Sequence, residues 1–594
     1  MVRPLEILGP ESLTVADTKT EALAKLAALA ENVDEALAAR KASGLIRRAI
    51  KSWNIGRAAH AGQLALEATR LNPENPYGYL VLAIALEKMN YLYKSLVTYE
   101  EALKRAPDDP EIIINLGGLA SKLSQKDTAE KLFRKYIDLR PESPLGYNNL
   151  ACLLSERNHV DEAIDLVREA IFRLPEEAVL WNCLATILAE EGRVAESVTF
   201  YQEAIRLSPT STRFYHNLGF AYMHLNRIPE AIQLYEDALE HVVDTSERLE
   251  SRYSHSICLI QDGQVEKGFQ EYEVRNHKRF RGYTEYMLKV PQWQGEPLQG
   301  RRILLVGEQG LGDEIMFANI IPDLCQAVGP EGKVYIAVEP RLVPIFTRSF
   351  PNTLVGKHDD RTLLDKDGNQ QLRFFPHIEN EPTPDYYAPF GSAISYIRKT
   401  VEDFPHKAFL IPDTARRDTF LQYLRADGFS GPLIGICWRS MMMNHKRSKY
   451  YSRLEDWGAL FAIPDVRFVN LQYGICEEEL MAAEQMFGIN ICQPCNPDGT
   501  PHDLTQDIDG NVSLSAALDL VISAPTSVGA TSAAVGTETW FLLSSNGWPQ
   551  MGRNEYPWYP RTRTFISTDF GNWPTAVRDM ADELKTRLQH PTQG

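Results

Sequence analysis

Two folds in series are predicted by this sequence of 594 residues: an all-α solenoid of stacked helix pairs, then an α/β region made of two Rossmann-like halves. Three observations carry the prediction. Pro73, Pro107, Pro141, Pro175 and Pro209 stand 34 residues apart, and a fixed period of that length marks a helix-pair repeat. Beyond about residue 300 the repeat stops, and short apolar runs alternate with helical stretches. Two of those runs end in turns rich in Gly or other small residues, as at the opening of a phosphate-binding α/β unit.

The period is that of the tetratricopeptide repeat, and several columns keep step with it. Five residues before each Pro stand Ala68, Ala102, Tyr136, Ala170 and Ala204, with Ala238 continuing the series. Seven residues earlier come Ala61, Ser95, Ala129, Ala163, Ser197 and Ala231, small enough to let two helices approach. Six residues after each Pro a large side chain recurs (Tyr79, Ile113, Tyr147, Trp181, Tyr215), with Leu82, Leu116, Leu150, Leu184 and Leu218 three positions on. That spacing is the buried stripe of an amphipathic helix. Pro closes each second helix because it cannot continue one. The repeats run 42–75, 76–109, 110–143, 144–177, 178–211 and 212–245. A seventh, around 246–280, is out of phase by about three residues at Gly268 and Tyr272 and is expected to cap the array. Residues 19–40 read as one more helix or as a packing cap. The expected organisation is a helical segment over 1–41, a solenoid of about seven repeats over 42–282, a linker over 283–301, and α/β halves over 302–430 and 431–594.

A solenoid of this kind holds another protein. Asn115, Asn149 and Asn217 share one repeat position, with Cys183 in the remaining register and Asn148 and Asn182 alongside. An amide both donates and accepts, so Asn115, Asn149, Asn182 and Asn217 are candidate contacts to the backbone of an extended guest. The alternative is that Asn is simply common at this repeat position.

The net charge of -17 argues against a nucleic-acid partner, which needs a basic stripe. No apolar stretch approaches the ~18 residues of a membrane span, and no basic region followed by an apolar run opens the chain, so a cytoplasmic protein is expected. Eight scattered cysteines suit a reducing compartment. Cys492 and Cys495 form a C-x-x-C with His502 nearby, but four ligands for a metal are not in sight and none is expected.

Pro291–Arg301 is rich in turn formers and reads as the linker. Ile303–Val306 is a buried strand, followed by Gly307-Glu-Gln-Gly310-Leu-Gly312-Asp313 and a helix from about Glu314. The spacing is not G-x-G-x-x-G, so no dinucleotide fingerprint is present. Further strands are read at Val334–Val338, Leu433–Trp438, Val466–Leu471, Leu518–Ser523 and Thr539–Leu543. A basic loop (His445, Lys446, Arg447, Lys449) follows Trp438-Arg439-Ser440. The strand ending at Ser523 runs into Ala524–Ser532, where backbone amides and the hydroxyls of Thr526, Ser527 and Thr531 are suited to a phosphate. Two such halves with a cleft between them point to a sugar-nucleotide transferase of GT-B architecture.

Several of these motifs match a known set: Trp293-Gln-Gly-Glu-Pro-Leu-Gln-Gly, the 307–313 turn, Trp438-Arg439, Asn470-Leu-Gln-Tyr-Gly, Leu518-Asp-Leu-Val-Ile-Ser and Pro557-Trp-Tyr-Pro-Arg. Over nearly the whole chain beyond residue 40 the sequence resembles bacterial proteins that join a tetratricopeptide arm to a heptosyltransferase-related GT-B domain, and within them the FlmG-type flagellin glycosyltransferases. The resemblance implies an arm that docks flagellin. It also implies a metal-independent catalytic half, without a cofactor, that moves a nonulosonic acid of the pseudaminic acid type from a CMP-activated nucleotide sugar to flagellin Ser or Thr. It implies Asp313 as general base for the acceptor hydroxyl, where the competing reading is a helix cap; Glu308 is a second candidate. On the donor side the candidates are Gly310, Gly312, Arg439, Lys446, Arg447, Thr526, Ser527 and Thr531, the cations neutralising the phosphate of the leaving group. Met441–Met443 either line that pocket or form a loop, and Trp558 and Tyr559 either cover the cleft or belong to a core. The family's Asp-Thr-x-x-x-His after the Ile-Ser strand is altered here: Pro525 replaces the Asp and Ala530 the His, and only Thr526 remains. Either the donor differs or catalysis is lost. Two other readings stand beside the transferase: a non-catalytic adaptor or chaperone for flagellin, and a UDP-sugar-dependent protein O-glycosyltransferase.

Overall fold

A computed structural model describes residues 19–242, 244–365, 368–443, 445–496, 498–567 and 571–589. The chain divides into two compact units, one reaching His159 and taking in Leu364–Asn369, the other formed by Val160–Leu363 and Gln370–Gly594.

The first unit is helical: α1 (Lys19–Asn54), α2 (Ala58–Leu71), α3 (Pro76–Lys88), α4 (Leu92–Arg105), α5 (Pro110–Lys122), α6 (Lys126–Leu139) and α7 (Pro144–Glu156). α1 is one helix of 36 residues, so the segment 19–40 and the first helix of the 42–75 repeat are a single element. The stretch is rich in Ala, Leu, Lys, Arg and Glu and has no Pro, and its single Gly, Gly44, at about 1 kcal/mol, does not end a helix. The second unit begins with α8 (Val160–Arg173), α9 (Ala178–Glu190), α10 (Val194–Leu207), α11 (Thr212–His224), α12 (Ile228–His241), α13 (Thr245–Gln261) and α14 (Val265–Tyr272). Each ladder Pro lies two residues beyond the end of an even-numbered helix. Ala61, Ser95, Ala129, Ala163, Ser197 and Ala231 are all 0% exposed, which is why the column tolerates nothing large. The two serines satisfy their hydroxyls on Ala83 O (2.8 Å) and Val194 O (2.7 Å).

A further column sets the turn inside each helix pair. Gly56, Asn90, Ser124, Asn158, Gly192 and Asn226 all have positive φ, between 55° and 85°. Gly and Asn are the residues that adopt this left-handed conformation most readily. In the last pair the corresponding Gly263 arrives three residues late, because α13 has 17 residues where α11 has 13.

Beyond the helices come β1 (Thr284–Tyr286), β2 (Arg302–Val306), β3 (Lys333–Val338), β4 (Leu354–Lys357), β5 (Asp359–Asp365), β6 (Gly368–Phe374), β7 (Tyr386–Pro389), β8 (Leu433–Cys437), β9 (Arg467–Asn470), β10 (Leu520–Ser523), β11 (Thr539–Leu543) and β12 (Thr562–Ile566). They form a four-stranded sheet of order β4-β3-β2-β7, a five-stranded sheet of order β12-β11-β10-β8-β9, and a small sheet of order β1-β6-β5. The pairings in the two larger sheets are parallel. Strands β8 and β11 are buried along their whole length, as parallel strands with helices on both faces must be. The chain is thus a helical tetratricopeptide solenoid followed by a parallel-sheet α/β region.

The 283–301 segment is not a free linker. Trp293 and Leu298 are buried in the same apolar core as β2 and β3, and Trp293 Nε1 donates to Glu296 O at 2.8 Å. That core also takes in Ile260, Val265, Phe269 and Tyr272 of the last helix pair, and Phe409, Phe541 and Trp558 from later in the chain.

Candidate functional site

The turn after β2 leads into α15 (Leu311–Phe317), whose N-cap is Gly310. Asp313 sits at the third helical position, not the cap itself, and its Oδ2 accepts the Gly310 N–H at 3.2 Å. It is half-buried. Loss of hydration pushes its carboxyl up to about 6 against the pull of that N–H, and the charges of Glu308 and Glu314 add to the rise. The same carboxylate raises Tyr253 and Tyr272 electrostatically, secondary there to burial, which sets it near α13 and α14. Capping and proton acceptance are therefore compatible at Asp313: one oxygen holds the turn, and the group titrates near neutrality.

Glu308 is not placed to act as a base. Its carboxylate accepts Arg275 Nε (2.8 Å), Arg275 Nη2 (2.6 Å) and the Gly391 N–H (2.7 Å) in a site where both charged side chains are buried. The Arg275 guanidinium also covers the Tyr272 ring at 4.0 Å. A buried carboxylate that takes two bonds from a cation and one from a backbone N–H is committed to holding the turn. Glu314, the next carboxylate on α15, is likewise structural, accepting the Glu339 N–H at 2.9 Å and lying 3.3 Å from His358 Nε2.

Facing the turn is the helix Ser527–Ala534, with Thr526 at its N-cap. The approach is close: a Cβ on Gly312 would lie 3.5 Å from Ser527 Cα. Between them opens a cavity of about 480 Å³ lined by, among others, Gly310, Leu311, Arg341, Arg447, Ser527 and Thr531. Met441 and Met442 also line it, whereas Trp558 and Tyr559 are core residues, 0% and 1% exposed. The hydroxyls expected to meet a phosphate divide. Ser527 lines the cavity, but Thr531 Oγ1 donates back to Ser527 O (2.6 Å), and Thr526 Oγ1 lies beside Ser523 Oγ (3.4 Å) and Cys437 Sγ (3.6 Å). Pro525 is exposed and Ala530 is 8% exposed within the large core, so position 530 carries a core methyl and no side chain that could reach a ligand.

The cations divide too. Arg439 is turned away, bound through Nε to both oxygens of Glu479 (2.9 Å each) and through Nη2 to Ile475 O (2.8 Å). Its charge is neutralised 40 residues further along the chain, which spacing alone does not reveal. Arg447 lines the cavity; the Lys446 side chain lies outside the described residues. A cation that sequence reasoning missed is Arg341, held on the wall by Thr505 O (Nη1, 2.9 Å) and Glu339 (Nε, 2.9 Å). Its signal was position: it follows the C-terminal end of β3, the edge where open α/β sheets bind ligands.

On the solenoid, Asn115 Nδ2 donates to Glu111 O of its own helix (2.7 Å), and Asn148 Nδ2 to Asn149 Oδ1 (3.3 Å). In the second unit Asn217 Nδ2 donates to Asn182 Oδ1 (2.8 Å). The amides are thus partly spent on one another and on their helices. Asn217 borders a second cavity, of about 220 Å³. Cys492 and Cys495 are free thiols, with Tyr423 Oη donating to Cys495 Sγ at 3.3 Å. Among the described residues no group of three or more His, Cys, Asp or Glu side chains is placed to hold a metal, and no helix is long and apolar enough to cross a membrane.

Fold and site together define a repeat protein whose solenoid is followed by a parallel α/β region with a cleft lined by Gly310, Arg341, Arg447 and Ser527. Models of tetratricopeptide repeats match residues 146–171 and 212–242, and a TPR repeat model matches 185–226. Protein FlbA of Caulobacter vibrioides is 37% identical over 338 residues, 56% of this chain and 55% of that protein, so the chain spans about half the length of this curated relative. Among solved structures, a tetratricopeptide repeat protein from Parabacteroides merdae is similar over 39% of this chain and 91% of its own, at 16% identity and a TM-score of 0.31. A thermophilic TPR protein of Thermus thermophilus is similar over 30% and 98%, at 22% identity and a TM-score of 0.27.

Proposed function

We propose that this chain is a cytoplasmic protein O-glycosyltransferase of GT-B architecture. Its repeat arm binds flagellin, and its cleft transfers a nonulosonic acid from a CMP-activated donor to a flagellin Ser or Thr. The observation that carries the reading is Asp313: a half-buried carboxylate on the turn whose Gly310 and Leu311 line the cavity, its pKa pushed up to about 6 by burial. A base of that strength is matched to neutral pH. The acceptor hydroxyl attacks the anomeric carbon and forms the new C–O bond. The bond from that carbon to the donor phosphate oxygen breaks with its electron pair, CMP leaves, and the hydroxyl proton passes to Asp313. Arg341 and Arg447 stand where they would offset charge growing on the departing phosphate, and the amides opening Ser527–Ala534 would add donors.

A second reading, a non-catalytic adaptor, is favoured by two observations: Ala530 stands in the core where the family places a His, and Arg439 is spent on Glu479. Incubating the purified protein with flagellin and CMP-pseudaminic acid, and following flagellin mass, separates the two. A mass gain that Asp313→Ala abolishes while both binding steps persist supports the transferase. No gain with any CMP-nonulosonate sinks the donor assignment, and normal turnover by the variant leaves Asp313 a cap only.

A further inference from the structure

The cavity of about 220 Å³ on the solenoid has an unusual wall. Three sides come from the repeats, through Ala189 of α9, Val194 and Tyr201 of α10, and Phe220 of α11. The fourth is Tyr450, from the loop that follows Arg447 in the α/β body. Tyr450 lies against Phe220 and His224, with ring centroids 6.4 and 5.6 Å apart. Lys449 anchors the loop, its Nζ contacting Glu190 O and lying 2.9 Å from Glu191 Oε1. Two residues therefore separate a side chain in the cleft, Arg447, from one closing this cavity, Tyr450.

We propose that the cavity is a side-chain pocket for the acceptor polypeptide, taking one aromatic or long aliphatic side chain of an extended segment. The proposal rests on the transferase reading and names what that site selects. Size fits: a dry cavity of about 150 Å³ already holds a benzene ring, so 220 Å³ accommodates a Phe or Leu side chain. Chemistry fits too, since the walls are mostly apolar, while Asn217, paired with Asn182, borders the pocket with an amide of the kind that holds guest backbone. Phe220, 49% exposed, keeps apolar surface in contact with solvent that an incoming side chain would cover. Continuity argues for a polypeptide over a free small molecule. Arg447 lines the cleft and Tyr450, three positions on, lines the pocket, so a polypeptide anchored here would have its neighbouring Ser or Thr presented near the cleft.

Filling the pocket tests this. Ala189→Phe places a ring in the cavity, and Ala189→Leu does so with a smaller group should the first variant fail to fold, as judged by thermal unfolding. Flagellin binding to the full-length chain is measured by calorimetry. Burial of one such side chain supports a roughly ten- to hundred-fold loss of affinity in the folded variant. Flagellin binding unchanged in a folded variant overturns the pocket. If the unmodified chain does not bind flagellin at all, the proposed acceptor falls, and the pocket is judged with N-acetyl-tryptophanamide as probe. Binding that Ala189→Leu removes upholds a side-chain pocket, and absence of binding refutes it.

Discussion

Removing the Glu308 carboxylate tests most directly how the turn below the cleft is held. Glu308 and Arg275 are 7% and 3% exposed, and the carboxylate takes three short bonds, two from Arg275 and one from the Gly391 N–H. Glu308→Ala strands a guanidinium that water cannot reach, a change that costs about 3–5 kcal/mol when a buried pair is broken. The stranded cation retains Tyr272 O at 2.9 Å and Glu273 Oε1 at 3.2 Å, which places the expected loss near the lower end, about 3 kcal/mol. Replacing both partners, as Arg275→Met with Glu308→Leu, removes the uncompensated charge and is expected to cost less than the single change. Urea unfolding followed by tryptophan emission suits the measurement, because eight of the nine tryptophans lie beyond His159 and report on the second unit. A loss under about 1 kcal/mol for Glu308→Ala, or a double variant less stable than the single, would refute the buried-pair account and return Glu308 to the list of candidate bases.

Two further outcomes follow from the same turn. On the proposed transferase function, transfer by the native chain should rise with pH through about 6 and level off above it, because only an ionised Asp313 accepts a proton; a profile flat from pH 5 to 8 removes Asp313 as the proposed base. The stability term has the opposite sense: a carboxyl raised on folding contributes fully below its unfolded value of about 3.9, and that contribution is lost as pH rises through about 6, a slope that Asp313→Asn should erase. Gly307→Ala should cost about 1–3 kcal/mol by overpacking, since the new Cβ would meet Glu314 Cδ at 2.5 Å and that carboxylate is tied to Glu339 and His358; an unchanged melting temperature would mean that the turn relaxes freely.

Much of the fold was legible because a repeat multiplies weak signals. One buried Ala means little, but six small residues in one column, each fully enclosed, fix the helix pairing. The column of left-handed turns was present in the sequence as Gly56, Asn90, Ser124, Asn158, Gly192 and Asn226, yet mixed residue types hid a shared backbone geometry. Among the parallel strands of the two larger sheets, β2, β3, β8, β9, β10 and β11 announced themselves as apolar runs, whereas β4, β7 and β12, at the sheet edges and less apolar, did not. The site was less legible, because its decisive facts are pairings between distant positions. Nothing near Arg439 foretells Glu479, and nothing near Glu308 foretells Arg275. Pro- and Gly-rich composition pointed to a linker at 283–301, whereas Trp293 finds its place only through a core assembled from elsewhere in the chain.

That core also sets where the protein can be recombined. Ile260, Val265, Phe269 and Tyr272 are buried with β2 and β3, so the last helix pair behaves as a foundation of the α/β body although its ancestry is that of a repeat. A graft that exchanges the arm should be spliced upstream of Thr245, leaving α13 and α14 with the body. A splice at residue 282, where the repeats end on paper, would tear four side chains out of the interior and deliver a hybrid that fails before its specificity could be read.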